Sequence, residues 1–272
     1  MDTYIVIFTD LDGTLLSYDN YSFEEALDAL DLIKEKRIPL VLCSSKTRGE
    51  IELYRERLEN RDPFVSENGG GIFIPVGYFK KSPDVGVRHD NGYRVIIIGK
   101  RYSELRDGLR RLREMGFRVK GFGDMTVEEI VSLTGLSPEE ARLSKERDFD
   151  EPFIVEDGAD EERLRDAVLS LGLNFTVGRY YHLMGESDKG KAVRILTELY
   201  RKEFGDIRTI AIGDSPNDIP MLEAVDIPVV VQKPGGVYDS RIVVPDIVRA
   251  DGIGPDGWRK VIMELVGNFQ GK

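Results

Sequence analysis

The chain has 272 residues, enough for one large domain or two modest ones with cores of their own. Its 38 basic and 49 acidic residues give a formal net charge of −11, which argues against general nucleic-acid binding, since polyanions are drawn to basic surfaces. A single cysteine, Cys43, excludes an intramolecular disulfide and a cysteine-based metal site, and no apolar run approaches the roughly 20 residues that span a bilayer. The N-terminus carries neither a basic n-region nor a small-residue cleavage site, so the expected location is the cytoplasm, with no membrane partner.

In chain order, Tyr4 to Thr9 is a continuous β-branched and aromatic run that stops at Asp10, the pattern of a strand buried on both faces in a parallel sheet. Phe23 to Lys36 has apolar residues at helical spacing, with Ser22 and Glu25 as a candidate capping box. Pro39 to Cys43 reads as a strand, Lys46 to Leu58 as a helix, and Phe64-Val65 leads through Asn68-Gly69-Gly70-Gly71 to another strand at Ile72 to Ile74. The rhythm returns late, with strands at Thr209 to Ile212 and Ile227 to Val231, a third candidate at Ile242 to Val244, and helices at Ile219 to Ala224 and Trp258 to Val266. Such alternation implies a parallel sheet with right-handed crossovers.

The middle differs. Strands are expected at Arg94 to Ile98, Phe117 to Lys120 and Phe153 to Val155, with a hairpin about Gly178. Helices are expected at Tyr102 to Met115, Thr126 to Thr134, Ser137 to Lys145, where Ser137 caps and Pro138 opens, and Asp160 to Leu171. The fold class is therefore α/β: a three-layer, Rossmann-like parallel-sheet core, residues 1–84 and 187–272, with an inserted α+β cap, residues 85–186. Gly77 to Gly92 is the expected outgoing linker and Gly185 to Asp188 the return.

Asp10-Leu11-Asp12-Gly13-Thr14 puts two carboxylates at i and i+2 where a buried strand ends, the edge at which open parallel sheets bind ligands. Asp and Gly are also ordinary turn residues, but the position favours chemistry. Paired acids can hold a hard cation such as Mg²⁺. Asp10 can then attack phosphorus, while Asp12 protonates the leaving oxygen and later takes a proton from water. Ser44 follows the second strand and can reach a phosphoryl oxygen, although Ser44 or Ser45 can equally cap the next helix. Lys189 opens a helix, where a cation is unfavourable to the dipole, and can supply a fixed charge to a phosphoryl group. Gly213-Asp214-Ser215-Pro216-Asn217-Asp218 follows another buried strand, so Asp10, Asp12 and Asp214 form the expected metal set, with Asp218 placed to orient Lys189 or a water.

These motifs, in this order and with well over a hundred residues between the second and third, resemble the haloacid dehalogenase-like superfamily of aspartate-nucleophile phosphatases. The resemblance implies Asp10 as nucleophile, Asp12 as general acid/base, Ser44 and Lys189 as phosphate ligands, and Mg²⁺ as cofactor. The Thr-Gly-Arg of related sugar phosphatases reads Ser44-Ser45-Lys46 here, which leaves both serines as phosphate-contact candidates and Lys46 as a substrate contact, with Asn217.

A finer resemblance is to the mannosyl-3-phosphoglycerate phosphatases. It rests on Cys43 to Thr47, Ser66-Glu67-Asn68-Gly69-Gly70, Gly121 to Thr126, Glu140-Ala141-Arg142, Asp150-Glu151-Pro152-Phe153 and His182-Leu183-Met184-Gly185. It implies a small phosphorylated glycosyl-glycerate substrate and free mannosylglycerate, a compatible solute, as product. Cap donors suited to such a ligand are Arg142, for the glycerate carboxylate, and His182, with Lys145, Arg147 and Arg179 as further cations that can equally lie on solvated faces. Two rival readings stay open: a sucrose-phosphate-like phosphatase or phosphomutase of the same chemistry, and a catalytically idle binder of phosphorylated ligands.

Overall fold

The computed structural model describes residues 4–81, 88–156 and 160–267. In chain order its elements are β1 (Tyr4–Thr9), α1 (Leu27–Glu35), β2 (Leu40–Cys43), α2 (Arg48–Arg57), β3 (Phe64–Ser66), β4 (Gly71–Pro75), β5 (Arg88–Asp90), β6 (Tyr93–Ile97) and α3 (Tyr102–Glu114). There follow β7 (Val119–Gly121), α4 (Val127–Thr134), α5 (Pro138–Leu143), β8 (Asp150–Val155), α6 (Glu161–Ser170), β9 (Asn174–Val177) and β10 (Tyr181–Met184). The chain closes with α7 (Lys189–Phe204), β11 (Ile207–Gly213), α8 (Ile219–Leu222), β12 (Ile227–Gln232), β13 (Val248–Ile253) and α9 (Pro255–Gly267).

The large sheet runs β13-β12-β11-β1-β2-β3-β4-β6-β5, parallel from β13 to β3 and antiparallel beyond. Its central strands are largely apolar because both faces are covered. Ile5 and Ile7 pack with residues of α1, α2 and α9, whereas Val6 and Phe8 pack with residues of α7 and α8. The smaller sheet, β7-β8-β10-β9, is wholly antiparallel, and α3 and α6 bury Leu105, Leu109, Leu112, Leu164 and Val168 against it. No helix among the described residues is long and apolar enough to cross a membrane.

Four expectations are corrected. The strand at Arg94 to Ile98, expected inside the insertion, is β6 and pairs with β4 in the large sheet, so the chain leaves that sheet after Ile97; part of the expected linker, 82–87, lies outside the described residues. Ile242 to Val244 is not a strand: Val243 is 80% exposed, and the edge position goes instead to β13, whose charges alternate with buried residues. The Ser22/Glu25 box is not formed, because that helix starts with a 3₁₀ turn in which Ser22 Oγ accepts only from Glu24 N, at 3.1 Å. The second helix is capped by Thr47 with Glu50, so neither Ser44 nor Ser45 is committed to a cap.

Between β3 and β4 the chain turns through Glu67 (φ +49°), Asn68 (φ +53°) and Gly69 (φ +90°). A Cβ at Gly69 would stand 2.1 Å from the Asp188 carbonyl oxygen, so only glycine lets this turn lie on the start of α7. The Glu67 carboxyl is fully buried, accepts from the backbone N–H of Asp148 and Phe149, and is pushed up to about 8, by burial above all. In the fold it keeps a proton that the unfolded chain releases near 4.5. Its contribution to stability is thus fully present below that value and is lost as pH rises through about 8, at up to about 1.4 kcal/mol per pH unit. Glu67→Gln is expected to lose less stability than the parent between about pH 5 and 8. Urea midpoints at both pH values check this, and identical pH dependence in the two proteins would contradict it.

Candidate active site

The register of the central strands brings the chemistry together. Thr9 lies opposite Leu42 of β2 and Ile212 of β11, so the residues just beyond β1, β2 and β11 meet at one sheet edge. There Asp10 N donates to Ile212 O at 2.9 Å. Lys189, the first residue of α7 and fully buried, places Nζ 2.6 Å from Asp10 Oδ1 and 2.6 Å from Asp218 Oδ1. The other Asp218 oxygen accepts from the N–H groups of Asp214 and Ser215 at 3.0 and 3.1 Å, which folds the loop back on itself. Asp214 accepts from Ser215 Oγ at 2.9 Å and has Lys233 Nζ at 3.7 Å.

Oxygens of Asp10, Asp214 and Asp218 lie within 4.8 Å of one another, and all three residues are buried. Burial pushes Asp10 well above the usual carboxylate range; Asp218 and Asp214 push the same way, while Lys189 opposes them. Asp214 is raised to about 7, again by burial first and then by Asp218. Burial disfavours the charge on Lys189, but Asp10 and Asp218 outweigh it and raise its pKa. Three crowded carboxylates with Lys189 between two of them and Lys233 farther off, at 3.7 Å from the third, make an all-oxygen donor set that fits a hard divalent cation.

The acid cluster that forms holds Asp10, Asp214 and Asp218, while the Asp12 carboxylate of the expected metal set lies outside it. The left-handed turn at Gly13 (φ +82°) and the full burial of Leu11 carry Asp12 aside, where its Oδ1 meets Lys46 Nζ at 3.0 Å. Lys46 is itself buried between Asp12 and Glu50, over the rings of Tyr21 and Tyr54. Asp10 and Asp12 both remain on the wall of the same cavity, with Ser45, Lys46, His182 and Asn217. Ser44 lies deeper, and its Oγ accepts from Lys46 N at 3.2 Å, which leaves its own proton free to donate.

Arg142, expected as a cap donor, does not line the cavity. Ser137 caps α5 with Glu140, and Glu140 and Ala141 turn inward, so the helical phase leaves Arg142 exposed and outside the cavity. Arg147, beyond the end of α5, lines the cavity and donates to Ser45 O and Ser144 O, each at 2.8 Å. Lys145 donates to Phe122 O at 2.9 Å and so holds the Gly121 to Asp124 turn. Arg179 stays on the cavity rim, over the ring of Tyr18 and donating to Tyr21 Oη at 3.2 Å, while Tyr21 donates to Thr134 O. Motif order alone pointed to none of Tyr18, Tyr21, Tyr180 and Lys233, which reach the cavity from three separate loops.

A family model described as haloacid dehalogenase-like hydrolase matches residues 7–81 and 140–233. The chain is 51% identical over 267 residues to a glucosyl-3-phosphoglycerate/mannosyl-3-phosphoglycerate phosphatase of Methanococcoides burtonii, covering 96% of this chain and 97% of that one. It is 40% identical over 224 residues to a mannosyl-3-phosphoglycerate phosphatase of Pyrococcus horikoshii, covering 81% and 88%. Among solved structures, the protein 0175 of Thermoplasma acidophilum superposes with a TM-score of 0.69 at 20% identity, covering 96% and 98%. With a parallel sheet whose strand ends gather an aspartate cluster around a buried lysine, the chain belongs to the haloacid dehalogenase-like hydrolases.

Proposed function

We propose that this protein is a Mg²⁺-dependent phosphatase that hydrolyses mannosyl- and glucosyl-3-phosphoglycerate to the glycosylglycerate and phosphate. The observation that carries the chemistry is Lys189 Nζ bridging Asp10 and Asp218 at 2.6 Å each, with Asp214 beside them, beneath a cavity whose far wall belongs to the smaller sheet. The substrate class rests on the names of the relatives in Methanococcoides burtonii and Pyrococcus horikoshii.

In this reading Asp10, Asp214 and Asp218 hold the cation. Bound Mg²⁺ offsets the repulsion between an attacking carboxylate and the phosphoryl oxygens. The Asp10 oxygen opposite the one held by Lys189 attacks phosphorus in line. The bond to the glycerate oxygen breaks, and Asp12 delivers a proton to that oxygen. Water then attacks the aspartyl phosphate, with Asp12 accepting its proton, so that both residues return to their starting state. Lys46 holds Asp12 at the cavity edge, Ser44 and Ser45 donate to phosphoryl oxygens, and Lys189 supports the developing charge. Residues from about Lys100 to Met184 act as the cap, closing over substrate to exclude water. Arg179, whose only polar partner among the described residues is the Tyr21 hydroxyl, takes over from Arg142 as the ligand of the glycerate carboxylate.

The test is phosphate release from mannosyl-3-phosphoglycerate, glucosyl-3-phosphoglycerate and an aryl phosphate, with and without Mg²⁺. Release from both glycosyl esters that stops when Mg²⁺ is chelated is the expected result. Activity on the aryl phosphate alone would overturn the substrate, and metal-independent turnover would overturn the mechanism.

A further inference from the structure

The cavity borders a second buried polar assembly that the phosphoryl chemistry does not use. His182 of β10, 5% exposed, lies with Nδ1 3.0 Å from both oxygens of Asp150, the fully buried first residue of β8. Asp150 Oδ2 also accepts from Asn68 Nδ2 at 2.7 Å, and Asn68 Oδ1 accepts from Asn217 Nδ2 at 3.2 Å. Arg147 Nη1 stands 3.7 Å from Asp150 Oδ1. Four side chains thus link a strand of the smaller sheet to the loop that carries Asp214 and Asp218. Asn68 can join them because of its left-handed backbone, fixed where the following Gly69 packs on the start of α7.

With Asp150 as a carboxylate, which only accepts, the histidine Nδ1 is the donor. That fixes the ring, and Nε2 has no partner among the described residues although the side chain lines the cavity. A nitrogen so presented, lone pair or N–H, suits a hydroxyl, which can donate or accept. A polar contact held by a buried carboxylate is directional, which a free histidine would not be.

We propose that Asp150 is a positioning residue for substrate recognition: it holds the His182 ring with Nε2 toward the hydroxyl-bearing glycosyl-glycerate part of the substrate, and through Asn68 it ties that contact to Asn217 in the acidic loop. This rests on the glycosyl-phosphoglycerate reading above. An aryl phosphate offers no such hydroxyls and does not use the contact.

The experiment compares steady-state kinetics on mannosyl-3-phosphoglycerate and p-nitrophenyl phosphate for the parent, Asp150→Asn, His182→Ala and the double variant. On the glycosyl ester, kcat/KM is expected to fall by about 10- to 100-fold, chiefly through KM, with a loss on the aryl phosphate at least about tenfold smaller. The double variant is expected to be no worse than the weaker single one, as for two residues acting as a unit. Parallel losses on both substrates, or additive effects, would mean that Asp150 only supports the fold, and the proposal would fall. If Asp150→Asn does not fold, Asn68→Ser breaks the same chain from the core side and is judged by the same contrast between substrates. A parent enzyme that releases no phosphate from the glycosyl ester defeats the functional reading itself; an active parent with equal losses defeats only the positioning role.

Discussion

Asp10→Asn is expected to lower turnover by at least about 10⁴-fold while the protein stays folded. The amide matches the carboxylate in shape but is a poor nucleophile, so no aspartyl phosphate forms. Stability should hold, because Asp10 is a buried acid whose charge is disfavoured by burial and by Asp218 and Asp214. Removing one negative charge from that cluster relieves crowding, and Lys189 keeps its second partner, Asp218, at 2.6 Å. Single-turnover phosphate release and a urea midpoint measured on the same preparation check both halves. Turnover within tenfold of the parent would remove Asp10 from the mechanism. A large loss of stability would show that the Lys189 contact to Asp10, rather than its chemistry, is what the fold requires.

Much of this site was legible before any coordinates, for a physical reason. Strands buried on both faces announce themselves as unbroken apolar runs, and the residue that ends each run must lie at the sheet edge. Asp10, Ser44 and Asp214 follow β1, β2 and β11, which are neighbours in register. Side-chain direction beyond the strand was less legible. Spacing of i and i+2 puts Asp10 and Asp12 on one side only while the strand continues, and it stops at Thr9. The turn at Gly13 then hands Asp12 to Lys46 and leaves its expected place in the cluster to Asp218. Arg142 and Arg147 fail to separate for a similar reason. Arg142 falls inside the expected helix and Arg147 two residues past its end, but α5 ends at Leu143, so no helical phase governs Arg147. The edge of the large sheet was obscured because β13 is half-exposed and carries Arg249 and Asp251 between its buried residues. The contacts of Asn68 and Tyr21 depend on left-handed backbone at non-glycine positions, which composition does not announce.

Lys189→Met is expected to be the most damaging single change to stability in the site, and its effect should depend on metal. The ammonium is fully buried and contacts two carboxylates at 2.6 Å each, so methionine fills the space but leaves Asp10 and Asp218 unpaired beside Asp214. Removing one partner of a buried ion pair typically costs about 3–5 kcal/mol, because the desolvated charge remains. The raised pKa of Lys189 means that its contribution is present throughout the range below the unfolded value of 10.5 and is lost only above the folded one. In the variant the stranded acids can escape by taking up protons, so the deficit should shrink as pH falls from about 8 to 5.5. Added Mg²⁺ should restore part of it at the higher pH, since a divalent ion neutralises the same carboxylates. Activity should remain about 10²- to 10³-fold down even in saturating Mg²⁺, because the cation supports the cluster but does not replace the fixed charge beside the transferred phosphoryl group. Urea midpoints at both pH values, with and without Mg²⁺, separate the structural effect from the kinetic one. A variant as stable as the parent at pH 8 without metal would mean that solvent, not Lys189, balances these acids.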